Sequence, residues 1–306
     1  MESLKGRSLL TLKDFNSSEL RFLIDLSHRV KKQKGEVHER FKGKSLALIF
    51  EKRSTRTRCA FETAFGEEGG NTSFLSTQDI HLGEKESIED TARVLGRMYD
   101  CIQFRGFEQR KAEVLAEYSG IPVYNGLTDS YHPTQVLADL MTMEEYSGSL
   151  AGDRLVYVGD GRNNVARSLI IGCSLMEVTL TIVAPKELLP KEESLESLSD
   201  QKPRITLTSD IERGVLDADF IYTDVWASMG EEKMVQKRER LLSDFQVDNK
   251  MMEKTGNPKV RFLHCLPAVK GKEVTSEVID GPTSLVWDQA ENRKHTIKAL
   301  MMATMP

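Results

Sequence analysis

The chain has 306 residues, of which 39% are hydrophobic and 29% charged, a composition that excludes disordered and fibrous proteins. It carries 42 basic and 47 acidic residues, so its net charge of −5 provides no long-range positive field for nucleic acids or anionic membranes. The sequence contains no run of roughly 18 apolar residues and no signal-peptide core. We therefore expect a cytoplasmic protein without nucleic-acid or membrane partners.

The cysteines are scattered along the chain, without a C-x-x-C pair or the spacing of zinc ligands. They are Cys59, Cys101, Cys173 and Cys265. This usage is typical of reduced thiols in a reducing compartment. The sequence therefore predicts no structural metal.

The first half of the chain alternates helical patterns with short apolar runs, beginning with a capping-box start at Asn16-x-x-Glu19. After this first helix, the predicted elements are a strand at 46–50, a helix through 61–65, a strand at 72–75, a helix at 87–95, a strand at 101–104, a helix at 108–118 and a strand at 121–124. Strands that alternate with helices in this way are typical of a parallel sheet.

A domain boundary is predicted near residues 147–152, where Ser147-Gly148-Ser149 ends the helical pattern that follows His132-Pro133. The second half has predicted strands at 155–158, 180–183, 205–207, 220–222, 261–263 and 285–286. We therefore expect an α/β fold with two doubly wound parallel-sheet domains, residues 1–147 and 148–289. Ligands of such sheets bind beyond the carboxyl ends of the strands, so the active site is expected in the cleft between the domains.

The segment Ser54-Thr55-Arg56-Thr57-Arg58 directly follows the first predicted strand and opens a helix. Backbone N–H groups at a helix N-terminus, hydroxyl groups and guanidinium groups together supply the donors and charges that bind a phosphate dianion. A capped helix start with solvated arginines is the ordinary alternative, but it gives no reason for two arginines at a strand end. The pattern G-x-x-x-x-G-K-[ST] is absent, so a nucleoside triphosphate is not indicated.

Further polar side chains follow the neighbouring predicted strands. Arg105 follows the strand at 101–104, and His132 and Gln135 follow the strand at 121–124. Because the carboxyl ends of parallel strands lie along one edge of a sheet, we expect these side chains near Arg56. Together they suit the polarisation of a carbonyl beside a phosphate, as in acyl-type transfer.

These motifs resemble those of the transcarbamoylase family, and within it the ornithine carbamoyltransferases, almost from end to end. Ser54–Arg58 and His132-Pro133-Thr134-Gln135 resemble the carbamoyl-phosphate motifs that the family shares. Asp224-Val225-Trp226-Ala227-Ser228-Met229-Gly230 and His264-Cys265-Leu266-Pro267 resemble motifs of the ornithine branch.

The resemblance implies transfer of the carbamoyl group of carbamoyl phosphate to the δ-amine of L-ornithine, without a cofactor or a metal. The C-terminal helix, about residues 290–306, would pack back onto the first domain. The implied carbamoyl-phosphate-binding residues are Ser54, Thr55, Arg56, Thr57, Arg105, His132, Gln135 and Arg293. The implied ornithine-binding residues are Asn164, Asp224, Ser228, Met229, Cys265 and Leu266. The catalytic residues among them would be Arg105, His132, Asp224 and Cys265.

Other functions remain open at this point. Gly159-Asp160-Gly161-Arg162-Asn163-Asn164 approaches the dinucleotide pattern G-x-G-x-x-G, so a nicotinamide-dependent dehydrogenase is an alternative. Against it, Asn164 replaces the third glycine, and no acidic residue ends the next predicted strand. A non-enzymatic regulator with this fold would be expected to lack some of Arg56, Arg105, His132 and Cys265. A nearer alternative is a transcarbamoylase for aspartate, putrescine or an acetylated ornithine, although the motifs at Ser228 and His264 favour ornithine.

The resemblance also implies a homotrimer, or a multiple of trimers, formed through the first domain. His81, in the loop from Thr77 to Gly83, is a candidate for reaching the active site of a neighbouring subunit. An ordinary loop histidine is the alternative for His81. Because one site catalyses both directions, these residues do not distinguish arginine synthesis from arginine breakdown.

Overall fold

The computed structural model describes residues 4–76, 80, 83, 85–191, 195, 204–227 and 234–306. The chain divides into two compact units. The first contains the residues up to Met141 together with Glu291–Pro306, and the second contains Thr142–Ala290. Among the described helices, none combines the length and the apolar character that crossing a bilayer requires.

The elements of the first unit alternate along the chain as the sequence predicts. They are α1 (Ser17–Lys32), β1 (Ser45–Phe50), α2 (Thr55–Gly66), β2 (Asn71–Ser76), α3 (Ile88–Met98), β3 (Cys101–Arg105), α4 (Gln109–Ser119), β4 (Val123–Leu127) and α5 (Pro133–Ser147). The strands are parallel and lie in the order β2-β1-β3-β4. Leu46 to Phe50 of β1 are all buried, which explains why this strand is apolar without alternation.

The carboxyl ends of β1, β3 and β4 lie side by side in this sheet. Phe50 pairs with Arg105, and Arg105 pairs with Leu127 across an irregularity in the register. The segments beyond β1 and β4 contain Ser54 and His132. The topology therefore brings these polar groups to one edge of the sheet, where ligands of doubly wound domains bind.

The second unit contains a separate parallel sheet. Its elements are β5 (Arg154–Val158), α6 (Asn164–Leu175), β6 (Thr179–Val183), β7 (Ile205–Thr208), α7 (Ile211–Val215), β8 (Phe220–Thr223), α8 (Val235–Leu242), α9 (Asn249–Lys254), β9 (Arg261–His264) and α10 (Ser276–Ile279). The strand order is β7-β6-β5-β8-β9. The chain reverses its winding between β5 and β8, which is the topological switch point of a doubly wound sheet. Two doubly wound α/β units confirm the predicted fold class.

The predicted strand at 285–286 is wrong. Ser284 forms an isolated bridge with Phe262, the Leu285 N–H donates to the Phe262 carbonyl at 2.9 Å, and the helix α11 (Val286–Thr304) begins at the next residue. A two-residue apolar run has no periodicity of its own, so it does not distinguish a strand from the start of a buried helix.

Ion pairs fasten α11 to the end of α2 within the first unit. Lys294 and Lys298 lie 2.9 and 2.8 Å from the Glu67 carboxylate, and Lys298 lies 3.3 Å from Glu68. Glu68 is buried and also pairs with Arg40 at 2.9 Å. A buried carboxylate is tolerated when it is paired in this way, so these contacts fix α11 beside α2.

Candidate functional site

Ser54 caps the helix that follows β1. Its hydroxyl oxygen accepts a hydrogen bond from the Thr57 N–H at 3.1 Å, and its backbone is extended, so α2 begins at Thr55. The first-turn N–H groups of a helix lack acceptors within the helix, which makes them donors for an anion. The predicted phosphate-binding segment therefore has the local geometry that this function requires.

Two buried guanidinium groups converge on Thr57. The Thr57 hydroxyl oxygen accepts hydrogen bonds from Arg105 and Arg293, each at 3.3 Å. Arg105 also lies 3.5 Å from the Gly126 carbonyl oxygen. Both arginines are buried. Two positive charges in one buried region have the charge and the donors that binding of a dianion requires.

The second guanidinium is held from α5. Arg293 donates to the Gln135 side-chain carbonyl at 2.7 Å and to the Thr134 hydroxyl at 3.3 Å, and the Gln135 amide donates to Asp139 at 2.8 Å. All these side chains are buried. The structure therefore joins Gln135 and Arg293, which the sequence analysis assigns to one ligand. It also adds Asp139, which lies one helical turn beyond Gln135 and was missed.

His132 lies just before α5 and is buried. Burial holds its pKa well below the ordinary value, and the positive charges of Arg293, Arg105 and Arg56 lower the pKa further. The imidazole is therefore neutral at pH 7, and a neutral imidazole carries one ring N–H that can serve as a donor without adding a charge. Three of the predicted arginines are therefore close enough to His132 to affect its ring.

We expect His132 to make the protein less stable as the pH falls below about 6.5. The unfolded chain binds a proton at this histidine near its ordinary pKa, whereas the buried ring stays neutral to a much lower pH, so acid favours the unfolded state. This group then removes up to about 1.4 kcal/mol of unfolding free energy per pH unit. Urea unfolding measured from pH 7 to pH 5 should show a smaller decrease of the unfolding free energy in His132→Gln than in the wild type.

The matched control for this experiment is His38→Gln. The His38 ring pairs with Glu36 at 3.1 Å and lies outside the buried cluster. Its replacement removes an imidazole at a position away from His132 and so controls for the general effect of exchanging histidine for glutamine. Equal slopes for His132→Gln and the wild type would contradict the prediction.

A second polar cluster lies at the carboxyl ends of β5, β8 and β9 in the second unit. The Cys265 thiol donates to Oδ1 of Asp224 at 3.0 Å, and the Asn163 amide donates to Oδ2 of Asp224 at 3.1 Å. The Val225 N–H also donates to Oδ1 at 2.8 Å. Asp224 is buried, so its carboxylate is held in one orientation by three donors.

Asn163 connects this carboxylate to a buried tyrosine. Its amide also donates to the Tyr157 hydroxyl oxygen at 2.7 Å, while its side-chain carbonyl caps α6 by accepting from the Ala166 N–H at 2.8 Å. Burial raises the pKa of Tyr157 well above its ordinary value, and electrostatic interactions with the nearby Asp224 and Cys265 raise the pKa further. The phenol is therefore neutral. Neither Asn163 nor Tyr157 was singled out from the sequence.

His264 fixes the turn that contains Cys265 and Leu266. Its Nδ1 accepts from the Leu266 N–H at 2.8 Å, and its Nε2 lies 3.3 Å from the carboxylate of Glu273. Leu266 has a φ of 56°, a left-handed conformation that is strained for a leucine. The buried pair of His264 and Glu273 holds this strained turn in place. Glu273 was also missed, because no motif connects it to the β9 end.

Asp224, His264 and Cys265 form a group in the described part of the chain whose donor atoms lie within 4.8 Å of one another. Such a trio has the ligand types for a metal ion. However, both ring nitrogens of His264 already face the Leu266 N–H and Glu273. A metal would have to displace one of them, so the arrangement favours a hydrogen-bond network over a dedicated metal site.

Two of the remaining predicted residues lie at the first position of a helix. Thr55 is exposed at the first position of α2, and Asn164 is the first residue of α6, next to Asn163, which contacts Asp224. Ser228, Met229 and His81 lie outside the described residues.

Two family models match nearly the whole chain. The model for the aspartate/ornithine carbamoyltransferase carbamoyl-P binding domain matches residues 7–145. The model for the aspartate/ornithine carbamoyltransferase Asp/Orn binding domain matches residues 151–304.

Curated proteins are similar to the chain over its full length. An ornithine carbamoyltransferase from Caldanaerobacter subterraneus subsp. tengcongensis is 63% identical, and the alignment covers 99% of each chain. A protein from Bacillus cereus named as a catabolic ornithine carbamoyltransferase is 49% identical over 99% of this chain and 97% of its own. Among solved structures, the ornithine carbamoyltransferase of Pyrococcus furiosus is 42% identical with a TM-score of 0.94, covering 99% of this chain and 98% of its own.

Proposed function

Because the chain belongs to the aspartate/ornithine carbamoyltransferase family, we propose that its two polar clusters carry out the reaction of an ornithine carbamoyltransferase. This reaction transfers the carbamoyl group of carbamoyl phosphate to the δ-amine of L-ornithine and yields L-citrulline and phosphate. The observation that carries the assignment of residues is the convergence of Arg105 and Arg293 on Thr57, at the start of α2.

The first unit, which corresponds to the predicted domain 1–147 with the C-terminal helix, binds carbamoyl phosphate. The phosphate accepts hydrogen bonds from the N-terminus of α2 and from Ser54, Thr55 and Thr57, and its charge is balanced by Arg56 and Arg293. The hydroxyls and N–H groups supply directed donors, and the guanidinium groups supply charge in a buried region. The hydrogen bonds that Arg105 and Arg293 donate to the buried Thr57 hydroxyl support this role.

The carbamoyl end of the same ligand lies against Arg105, His132 and Gln135. When the amine attacks, the carbonyl oxygen gains negative charge, and donors already in position stabilise that charge without reorganising. Arg105 supplies a full positive charge. The low pKa of His132 supports a neutral donor, which polarises the carbonyl without transferring a proton.

The second unit, which corresponds to the predicted domain 148–289, binds L-ornithine. Asp224, Asn164, Ser228 and Met229 bind its α-amino and α-carboxylate groups, and Cys265 and Leu266 lie beside its δ-amine. The amine must be neutral to attack, so its ammonium proton has to be removed first, and a carboxylate close to the amine can accept that proton as a general base. The hydrogen bond from Cys265 to Asp224 supports placing the residues for the α-amino end and for the δ-amine end in one binding site.

The bond changes balance without a covalent enzyme intermediate. The δ-nitrogen forms a bond to the carbonyl carbon, the tetrahedral oxyanion collapses, and the carbon–oxygen bond to phosphate breaks. The electron pair of that bond leaves with the phosphate, and the departing phosphate takes up the proton that the nitrogen loses. Placement of the two substrates and stabilisation of the developing charge supply most of the rate increase.

The assembly and the location of the enzyme are parts of the same proposal. We expect a homotrimer, or a multiple of trimers, in the cytoplasm, and a role in arginine metabolism. None of the four cysteines, all of which lie in the described part of the chain, is in a disulfide, which supports a reducing compartment. Mass photometry of the purified protein at nanomolar concentration would distinguish a trimer from a monomer.

Citrulline formation tests the function directly. The purified protein is supplied with carbamoyl phosphate and, in separate reactions, with L-ornithine, aspartate, putrescine or N-acetylornithine. We expect turnover with ornithine, and a loss of about 10²- to 10³-fold in Arg56→Ala because charge at the phosphate is removed. Arg110→Ala is the matched control, because Arg110 is an exposed arginine that pairs with Glu113 on α4.

The possible outcomes separate the assignments. Turnover with a different acceptor would overturn the roles given to the second unit and retain those of the first. Full activity in Arg56→Ala would overturn the phosphate site. The absence of carbamoyl transfer to all four acceptors would contradict the proposed function.

A further inference from the structure

Glu51 is the first residue after β1, and its side chain is only 6% exposed. Its backbone N–H donates to the Arg105 carbonyl at 2.8 Å, which extends the β1–β3 ladder by one residue. Its Oε2 accepts a hydrogen bond from the Phe107 N–H at 3.1 Å. Glu51 therefore contacts the backbone on both sides of Gly106, the residue that directly follows Arg105.

Gly106 permits this close approach. A Cβ at this position would overlap Oε2 of Glu51 and the ring of Phe104. From the other side, the Gly106 N–H donates to the Leu127 carbonyl at 3.0 Å. The segment from Arg105 to Phe107 is thus held between the ends of β1 and β4.

Lys111, on α4, compensates the charge of this carboxylate. Its ammonium group lies 2.6 Å from Oε1 of Glu51. A carboxylate this well buried is costly without a partner, and near a site for a dianion its charge would also oppose the ligand. The ion pair lets the carboxylate bind the Phe107 N–H while adding little net negative charge.

We propose that Glu51 and Lys111 are positioning residues for Arg105. They hold the backbone from Arg105 to Phe107 so that the guanidinium group reaches Thr57 and, in the enzyme complex, carbamoyl phosphate. This role rests on the proposed function. Neither side chain touches the substrate.

The test is a double-mutant cycle, read by calorimetric binding of carbamoyl phosphate to the full chain. In the wild-type background, Glu51→Ala should weaken binding about 10- to 100-fold, because Arg105 loses its defined position. In an Arg105→Lys background, the same change should weaken binding less than about 3-fold, because the group that Glu51 positions is already altered. A purely structural role would give equal factors in both backgrounds and would overturn the proposal.

A second set of variants tests the charge of the pair without removing the side-chain hydrogen bond. Lys111→Met leaves Glu51 buried without its partner and should weaken binding of carbamoyl phosphate about 10-fold. Adding Glu51→Gln should restore most of that loss, since glutamine keeps an acceptor for the Phe107 N–H. Glu113→Gln is the control, because it removes an exposed carboxylate from the same helix. No recovery in the double variant would also overturn the proposal.

Turnover measured in parallel separates this proposal from the function on which it rests. Binding of carbamoyl phosphate by the wild type without carbamoyl transfer to ornithine would overturn the proposed function, and the cycle would still decide the role of Glu51. Absence of binding by the folded wild type would overturn both.

Discussion

Replacing Arg293 with methionine is expected to lower kcat/KM for carbamoyl phosphate by about 10²- to 10³-fold. Arg293 is 2% exposed, and its guanidinium group donates to Gln135, Thr134 and Thr57. Methionine preserves much of the side-chain volume and removes the charge and every donor. Steady-state kinetics with varied carbamoyl phosphate and saturating ornithine would measure the loss.

The chemistry of guanidinium predicts how a conservative change at this position behaves. Arg293→Lys keeps the charge, but an ammonium group does not reproduce a planar fork that contacts Gln135 and two hydroxyl groups together. We therefore expect lysine to recover only a small part of the activity.

Lys294→Met is the matched control, because Lys294 is the next residue of α11 and pairs with Glu67 at 2.9 Å. It should lower thermal stability slightly and leave kcat/KM near that of the wild type. If Arg293→Met kept wild-type kcat/KM, the contacts of Arg293 with Thr57 and Gln135 would have a structural role only.

Replacing Asp224 with asparagine is expected to lower kcat by about 10²- to 10⁴-fold. The change is nearly isosteric, but it removes the negative charge and replaces one of the two carboxylate oxygens that accept hydrogen bonds from Cys265 and Asn163. Whichever way the new amide is turned, its NH₂ group faces one of these donors. The ammonium of ornithine also loses its partner, so KM for ornithine should rise while calorimetric binding of carbamoyl phosphate stays unchanged.

The other end of β8 provides the control for this substitution. Asp219 lies just before β8, where it accepts from the Arg154 N–H at 2.9 Å and the Asn257 amide at 3.1 Å. Asp219→Asn should leave kcat and KM for ornithine close to wild type. Equal losses in Asp219→Asn and Asp224→Asn would indicate a general effect on the sheet. An unchanged kcat in Asp224→Asn would refute the role of this carboxylate in the reaction.

The sequence alone predicts the parts of the site that depend on chain topology. Ser54 to Thr57, Arg105 and His132 were placed together because strands in a parallel sheet end at the same edge, and the structure has them there. Asp224 and Cys265 were assigned through the family resemblance, and the structure shows that they follow neighbouring strands of the second sheet and are hydrogen-bonded.

Contacts that depend on distant packing could not be predicted in this way. Arg293 was assigned only through the family resemblance, because no local pattern relates it to Gln135. Glu273 and Glu51 were missed because a carboxylate beyond a motif looks like any surface acid until its burial is known. Asn163, which contacts Asp224, was missed beside Asn164, which the resemblance implies as ornithine-binding. The direction in which each side chain points depends on where α6 begins, and helix boundaries are the least certain part of a sequence prediction.

The position of Arg293 along the chain has a consequence for biosynthesis. Gln135 and Arg293 are 158 residues apart, and a ribosome that adds about 5–20 residues per second needs roughly 8–30 s to pass from one to the other. During that interval the nascent first unit contains Thr57 and Gln135 without the guanidinium group that joins them. Substrate binding should therefore be acquired late in translation, so a nascent chain that ends before α11 should fail to retain carbamoyl phosphate.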